Sequence, residues 1–447
     1  MNRFPNTQET IKRDSKGHIY YDILITNLDS ASTAPQPLEY NSNRSSTIVM
    51  NCSEWYFSII RFTLDTISLP IFVPSIDLSS TSTTDAPNPT VGEPTIYSMT
   101  LTYSIGGTTY VGDQTFIQWL PESLFTSPPN NTATYQDNST NFYSCYSYSY
   151  WIDLVNQTFI TAFNSLSAAL PKGVSLPTTN PPFMVWNSDT ATATINVDVG
   201  STSGGFMTVF YDGSSLTTSA NGIDDLSTYG QISIFFNSAL YNLFNSFKVF
   251  IYGYGVNMNI QFPSTFNSTG SEITDTSTVI IPGGNVQILC NCYSSQQILQ
   301  CSTTFPFLTN NVSYIQVAQE YSTVPAWNPV KSLVFTSTNI PVQPTDVGSP
   351  YLYNGSQLIS QGSNSNIISS ITDFCSSNAD YRGYINYTPS GEYRLIDMCS
   401  NTPLIDINIR VYWMDKQGNL IPFYLLAGCS ATIKLMFRNK NFNNYLM

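Results

Sequence analysis

One histidine, His18, serves the whole chain, and it stands at the edge of the first segment that alternates like a β-strand. A catalytic triad needs an imidazole between a nucleophile and a carboxylate, and the usual zinc sites take several imidazoles or thiolates. A single strand-edge histidine supplies neither. Cys290-x-Cys292 with Cys301 is the tightest grouping among eight cysteines, the others being Cys52, Cys145, Cys375, Cys399 and Cys429. Tetrahedral zinc takes four donors, commonly as two close pairs, and the second pair is missing, so these thiols read as buried and free. Asp224-Asp225 and the Glu272/Asp275 pair could hold calcium only if backbone carbonyls supplied most ligands, which makes them acidic loops. Gly283-Gly284 lacks the Lys-Ser/Thr that a phosphate loop places after its glycines. Phe142, Tyr143, Tyr146, Tyr148, Tyr150 and Trp151 form the densest aromatic group and could stack sugars or bases. No basic residues interleave with them, so core or subunit-interface packing is expected. The catalytic, cofactor-binding and metal sets are therefore empty, no cofactor is expected, and the chain is not expected to be an enzyme.

Composition points the same way. Charged residues fill 10% of the 447 positions, far below the roughly 25% of ordinary soluble domains. Ser, Thr and Asn take the polar places, and such a surface opposes protein association weakly. Aromatics reach 14%, with 29 Tyr and 26 Phe, while 26 Pro and 24 Gly recur along the whole length, a β-rich and turn-rich composition. The hydrophobic fraction of 42% is too high for general disorder, and no apolar run approaches the roughly 20 residues of a membrane helix. A folded, soluble chain without a transmembrane segment is expected. The net charge of −13 argues against a body that grips nucleic acid, because phosphates exchange their counterions only for Lys and Arg. Arg3, Lys12, Arg13 and Lys16 make the start locally basic, but Glu9 and Asp14 dilute them, which reads as a solvated arm. No apolar h-region suggests secretion through a signal peptide. The sequons at Asn138, Asn267, Asn311 and Asn386 are what chance produces in so Asn-, Ser- and Thr-rich a chain.

The elements that must position these residues are mostly strands. Ile19 to Ile25 alternates Ile19, Tyr21, Ile23 and Ile25 against polar neighbours, and Ser30 to Arg44 reads as a loop. Trp55 to Leu64 is apolar on both faces, as in a central strand. Ser75 to Pro94 has no periodicity and reads as an exposed loop. Tyr97 to Tyr103 and Thr108 to Val111 flank Gly106-Gly107 as a hairpin. Trp151 to Leu170 places Ile152, Val155, Phe159, Phe163, Leu166 and Leu170 at helical spacing, closed by Pro171 and Gly173. Ala239 to Phe247 predicts a second, shorter helix, and Val249 to Phe262 and Val279 to Cys292 predict strands. Val342 to Ile367, broken by Pro and Gly, predicts a loop. Near the end, Ile405 to Trp413 alternates, Gly418 can take positive φ in a hairpin loop, and Leu420 to Leu426 and Ile433 to Arg438 are further strands. Many short strands, few helices and no strict repeat indicate an all-β fold, an antiparallel β-sandwich or jelly roll.

Several segments also resemble the minor capsid or penton-type proteins of virophages, polinton-like viruses and related eukaryotic DNA viruses. They run from Trp55-Tyr56-Phe57-Ser58-Ile59-Ile60-Arg61-Phe62 through Tyr148 to Leu166, Pro181-Pro182-Phe183 and Ile234 to Tyr241. They continue with Phe335 to Val342, Ile371-Thr372-Asp373-Phe374 and Tyr393 to Asp397, then Val411-Tyr412-Trp413 through Lys434 to Phe437. Each is a strand or turn pattern, and their order along the chain carries the likeness. The resemblance implies a jelly roll whose loops and edges pack on neighbouring capsomers, a pentamer at icosahedral vertices, and no active-site residues to transfer.

The organisation expected is a flexible N-terminal arm (1–18), a jelly-roll sandwich built from 19–125 and 370–447, and a partly helical β-rich insertion or second lobe (126–369) carrying helix 151–170. The leading function is a structural capsid protein, a penton or minor capsomer of the virion shell, made in the infected cell without a signal peptide. It would form homopentamers beside neighbouring major capsid proteins and touch no nucleic acid directly. A double jelly-roll major capsid protein, which forms trimers, is the alternative. An adhesin or sugar-binding sandwich with an exposed aromatic groove comes third.

Overall fold

A computed structural model describes residues 6–13, 17–27, 35–42, 44–79, 92–106, 108–122, 128–129, 131, 135–138, 140–198, 204–205, 210–211, 216–217, 230–251, 257–260, 265–266, 272–273, 279–284, 286–288, 295–299, 312–342, 351–354, 357–360, 366–371, 383–388 and 394–441. In chain order the first strands are β1 (Asn6–Arg13), β2 (His18–Thr26), β3 (Glu39–Asn41) and β4 (Trp55–Leu64). They are followed by β5 (Glu93–Ile105), β6 (Thr108–Val111), β7 (Thr115–Trp119) and helix α1 (Tyr148–Ala168). Next come β8 (Phe183–Asn187), β9 (Thr192–Asp198), β10 (Gly230–Phe236), helix α2 (Ser238–Leu243), β11 (Val249–Ile251), β12 (Val286–Ile288), β13 (Ser295–Leu299) and β14 (Val312–Ala318). The chain closes with β15 (Val330–Ser337), β16 (Tyr351–Asn354), β17 (Gln357–Ser360), β18 (Asn366–Ile371), β19 (Ile385–Tyr387), β20 (Ile396–Asp397), β21 (Asn408–Asp415), β22 (Leu420–Pro422) and β23 (Ser430–Asn439).

Two units divide the chain: 1–73, 121–146 and 328–447 form the first, and 74–120 with 147–327 form the second. In the first unit one sheet runs β1-β2-β23-β4-β19, with β20 also on β4, and the other runs β17-β16-β22-β21-β15-β18, with β3 also on β21. Strip away β1, β20, the β16–β17 hairpin and β22, and eight strands remain. Counted along the chain, the first, eighth, third and sixth lie in one sheet and the second, seventh, fourth and fifth in the other. That order is a jelly roll, a double Greek key. Alternation drives it. Ile19, Tyr21, Ile23 and Ile25 of β2 face Ile433, Leu435 and Phe437 of β23, Phe57 and Phe62 of β4, and Phe335, Val411 and Trp413 of the opposite sheet in one core. β2 pairs with β23 from His18↔Arg438 to Thr26↔Ser430. β4 is central, between β23 and β19 with β20, which is why its run Phe57, Ser58, Ile59 and Ile60 is buried without a break.

The second unit lies between the third and fourth jelly-roll strands in sequence. It has a sheet ordered β11-β12-β10-β5-β6, with β7 on β5, and a four-stranded sheet ordered β13-β14-β9-β8. Helix α1 begins at Ser147, whose hydroxyl accepts from Tyr150 N–H, and buries Trp151, Val155, Phe159, Ala162, Phe163 and Leu166 against β5, β7 and β8. Asn156 fastens it: its amide donates to Met184 O at 2.9 Å and its Oδ1 accepts from Met184 N at 2.6 Å, satisfying one residue of edge strand β8. No helix among the described residues is long and apolar enough to cross a membrane.

The structure departs from sequence expectation in several places. The expected arm at 1–18 contains β1, paired with β2 from Asn6↔Thr26 to Arg13↔Ile19. Its residues are polar enough that no apolar alternation announces a strand. The expected loop at Val342 to Ile367 contains the β16–β17 hairpin and the start of β18. The division into units does not fall at 125/126 and 369/370: β5, β6 and β7 belong with the helix-bearing unit, while β15 and β18 are sandwich strands. Which sheet a strand joins is decided by partners far away in sequence, as in Leu333↔Trp413. Ile405 is 39% exposed and precedes β21, so the inward alternation starts only at Ile407. Gly418 does take φ +93, in a turn where Asp415 Oδ1 accepts from the N–H groups of Gln417 and Asn419 at 2.9 and 2.8 Å.

Candidate functional site

Among the described residues the chemistry-bearing side chains are dispersed. His18 opens β2 and stacks on Tyr20 with 5.9 Å between ring centroids. Cys52 and Cys145 are buried, Cys429 is half-buried and Cys399 is exposed. Burial pushes the thiols of Cys52 and Cys429 up, and Asp65 pushes Cys429 further, so neither is poised as a thiolate nucleophile. No group of three metal-ligating side chains exists among the described residues. Cys290, Cys292, Cys301, Cys375, Asp224, Asp225, Asp275, Asn267 and Asn311 lie outside the described residues. Gly283 and Gly284 form the turn between Val279–Pro282 and β12.

The aromatic group is divided by its environment. Phe142 and Tyr143 are fully buried and meet edge to face at 5.1 Å. The Tyr146 phenol is pushed up chiefly by burial, and it borders a water-sized cavity of about 10 Å³ with Ser68, Asn141, Trp413 and Tyr424. Tyr148 stacks on Trp186 at 4.6 Å, Tyr150 O–H donates to Leu120 O at 2.8 Å, and Trp151 is buried against Tyr97 at 5.6 Å. These contacts are packing, and the Tyr150 hydroxyl finds its acceptor locally.

One polar constellation among the described residues is not announced by the sequence. Glu9 of β1 accepts hydrogen bonds from the phenols of Tyr21 on β2 and Tyr40 on β3, and pairs with Arg44. The two phenolic oxygens are also 2.6 Å apart. Tyr21 and Tyr40 are 0% and 2% exposed, so their hydroxyls need a partner inside the sandwich rim. Partial burial alone would raise the Glu9 carboxyl. The phenols and the Arg44 guanidinium outweigh that and hold it below its ordinary value of 4.5. Burial and the adjacent carboxylate push both tyrosines up, so they remain donors. Arg13, at the other end of β1, donates to the carbonyls of Thr47 and Ile48 at 3.1 and 3.2 Å. The arrangement clamps the first strand onto the sandwich. It holds no nucleophile beside a base, and its chemistry is structural.

Sequence and structure comparisons agree with this architecture. The Sputnik minor capsid protein V18/19 family matches residues 19–439. Structural protein V19 of Sputnik virophage is 29% identical over 134 residues, 30% of this chain and 60% of V19, so the match spans less than two thirds of that relative. Protein V18 of the same virophage is 32% identical over 165 residues, 36% of this chain and 89% of V18. A chain in the cryo-EM structure of the Sputnik virophage superimposes with a TM-score of 0.63 at 24% identity, covering 96% of this chain and 99% of that one. The mavirus penton protein superimposes with a TM-score of 0.50 at 14% identity, over 94% of this chain and 99% of the other.

Proposed function

Because the chain belongs to the Sputnik minor capsid protein V18/19 family and is a structural protein of the virion capsid, we propose that it is the penton-type capsomer, a homopentamer at the fivefold vertices of an icosahedral shell. The observation that carries the reading is the pairing of β2 with β23 in one sheet. A double jelly roll would give each terminal strand to its own sandwich, and the trimeric major capsid alternative depends on that separation. The likeness to the mavirus penton protein over nearly its whole length supports the same assignment. Major capsid proteins flank the capsomer, and contacts between them run over a surface where Asn, Ser, Thr and Tyr replace charge. The role requires no catalytic centre, and the net charge of −13 disfavours direct contact with the packaged genome.

Class averages and native mass of the assembled protein decide the matter. Fivefold averages and a five-chain mass are expected; threefold averages would overturn the proposal in favour of a major capsid protein.

A further inference from the structure

Charge is distributed unevenly between the two units. The inserted unit, 74–120 and 147–327, carries Lys172 and Lys248 against thirteen carboxylates, a net −11, while the remainder holds fourteen cations against sixteen carboxylates, a net −2. Two cations cannot neutralise thirteen carboxylates, and although Glu93 and Asp198 are buried, Asp113, Asp153, Asp189 and Glu320 are exposed. Like units brought together would repel, so an assembly of several copies is favoured when each acidic unit meets a positive surface.

Such a surface exists on the outer face of the β1-β2-β23-β4 sheet. Cross-strand register sets Thr10, Asp22, Lys434 and Arg61 in one row. The next row contains Lys12 and Tyr20, and the one after it His18, Arg438, Tyr56 and Asp397. Across these three rows, with Lys440 at the strand end, five cations lie beside two carboxylates. Tyrosine rings hold two of the ammonium groups in place, Lys434 Nζ lying 5.5 Å from the Tyr20 centroid and Lys440 Nζ 5.2 Å from that of Tyr56. Lys434 also meets Asp22 at 3.3 Å and Lys440 meets Asp397 at 2.8 Å. Lys12 and Arg61 are exposed. Nucleic acid fits this face poorly, because its evenly spaced phosphates would have to lie beside Asp22 and Asp397. Discrete carboxylates on a folded surface can meet the cations one by one, and Tyr and Arg beside a buried Met436 are the side chains that protein interfaces concentrate.

We propose that this sheet face of one copy docks against the acidic inserted unit of a second copy. The contact is heterologous, so repeated around an axis it closes a ring; it rests on the oligomeric reading above and adds which surfaces meet. The test uses the full-length chain in two charge-reversed forms. The face variant carries Lys12→Glu and Arg61→Glu. The acidic-unit variant carries Asp153→Lys, Asp189→Lys and Glu320→Lys, all at exposed positions. Thermal melts identify folded preparations, and Lys12→Gln with Arg61→Gln provides a milder form of the face change. Sedimentation velocity at low and high salt is expected to show wild-type association that weakens with salt and falls about tenfold or more in either variant. Mixing the two variants should restore association, since the good face of one then meets the good unit of the other and the reversed pair also matches. Unchanged association of the face variant, or a mixture no better than its components, would overturn the proposal while leaving a fivefold assembly intact. A wild type that stays monomeric would instead defeat the oligomeric reading itself. A DNA mobility shift by the wild type that the face variant loses would make the face a polyanion site and also overturn the proposal.

Discussion

Glu9 ties together three segments that lie apart in sequence, and its worth can be measured one side chain at a time. Glu9→Gln removes the ion pair with Arg44 and weakens the acceptor for two buried phenols. The expected loss is about 1 kcal/mol, below the ~1.5–3 kcal/mol of hydrogen bonds to a buried charged group, because the carboxylate is 32% exposed. The pH dependence has a definite sign. The folded carboxyl titrates below its ordinary value of 4.5, so its stabilisation is fully present above that pH and is lost as pH falls through the lower folded value. Chemical denaturation of wild type and Glu9→Gln should therefore differ at pH 7, and the difference should shrink as pH falls below 4.5. A gap that does not shrink as pH falls below 4.5 would assign the stabilisation to something other than the ionised carboxylate. Metal chemistry is also tested at this scale. With no second cysteine pair beside Cys290, Cys292 and Cys301, elemental analysis of the purified protein is expected to find no stoichiometric zinc, and about one zinc per chain would contradict that.

Helix α1 and helix α2 are attached in different ways, which gives each a distinct sensitivity. Phe159 of α1 is 0% exposed and lies 6.2 Å from the Phe236 ring. Phe159→Asp places a charge in that core without a partner and should destabilise the inserted unit by several kcal/mol; a thermal melt unchanged within error would mean the stripe is not packed. Six-residue α2 relies on its cap. Asn237 Oδ1 accepts from Leu240 N–H at 2.9 Å and Ser98 N–H at 3.2 Å, while its amide donates to Ile96 O at 2.7 Å. One side chain thus caps the helix and fixes it to β5. Asn237→Ala should cost about 2 kcal/mol, above an ordinary N-cap, and Asn237→Asp should recover only the part due to the two accepted bonds. Urea denaturation of the three proteins separates these contributions.

For the molecule as a whole, the last strand is the keystone of the sandwich, since β23 lies between β2 and β4. Deleting residues 432–447 removes Ile433, Leu435 and Phe437 from the core and leaves β2 without its long partner. Amide exchange in Ile19, Tyr21, Ile23 and Ile25 should then approach loop rates, while α1, packed within its own unit, keeps most of its protection. Slow exchange persisting in β2 would show that the sheet does not depend on the pairing of the chain ends.

Much of this architecture is legible in the local chemistry of the sequence. The inward alternation of β2 and β23, the unbroken apolar run of β4 and the 3.6-residue stripe of α1 all follow from side chains that must be buried on one face or two. The lack of a histidine-triad, zinc or phosphate-loop pattern is equally plain, because those chemistries require particular residue types at particular spacings. The likeness to capsid proteins comes from several such segments in order. Other features depend on pairs distant in sequence. β1 is a strand because β2 is beside it and because Glu9 reaches Tyr21, Tyr40 and Arg44, and none of these partners imposes a period on its polar residues. β15 and β18 belong to the sandwich through β21, and β5 belongs to the other unit through β10. A strand's own residues specify that it pairs and which face it buries; hydrogen bonds between backbones carry no residue identity, so the choice of neighbour is made only when the whole chain packs.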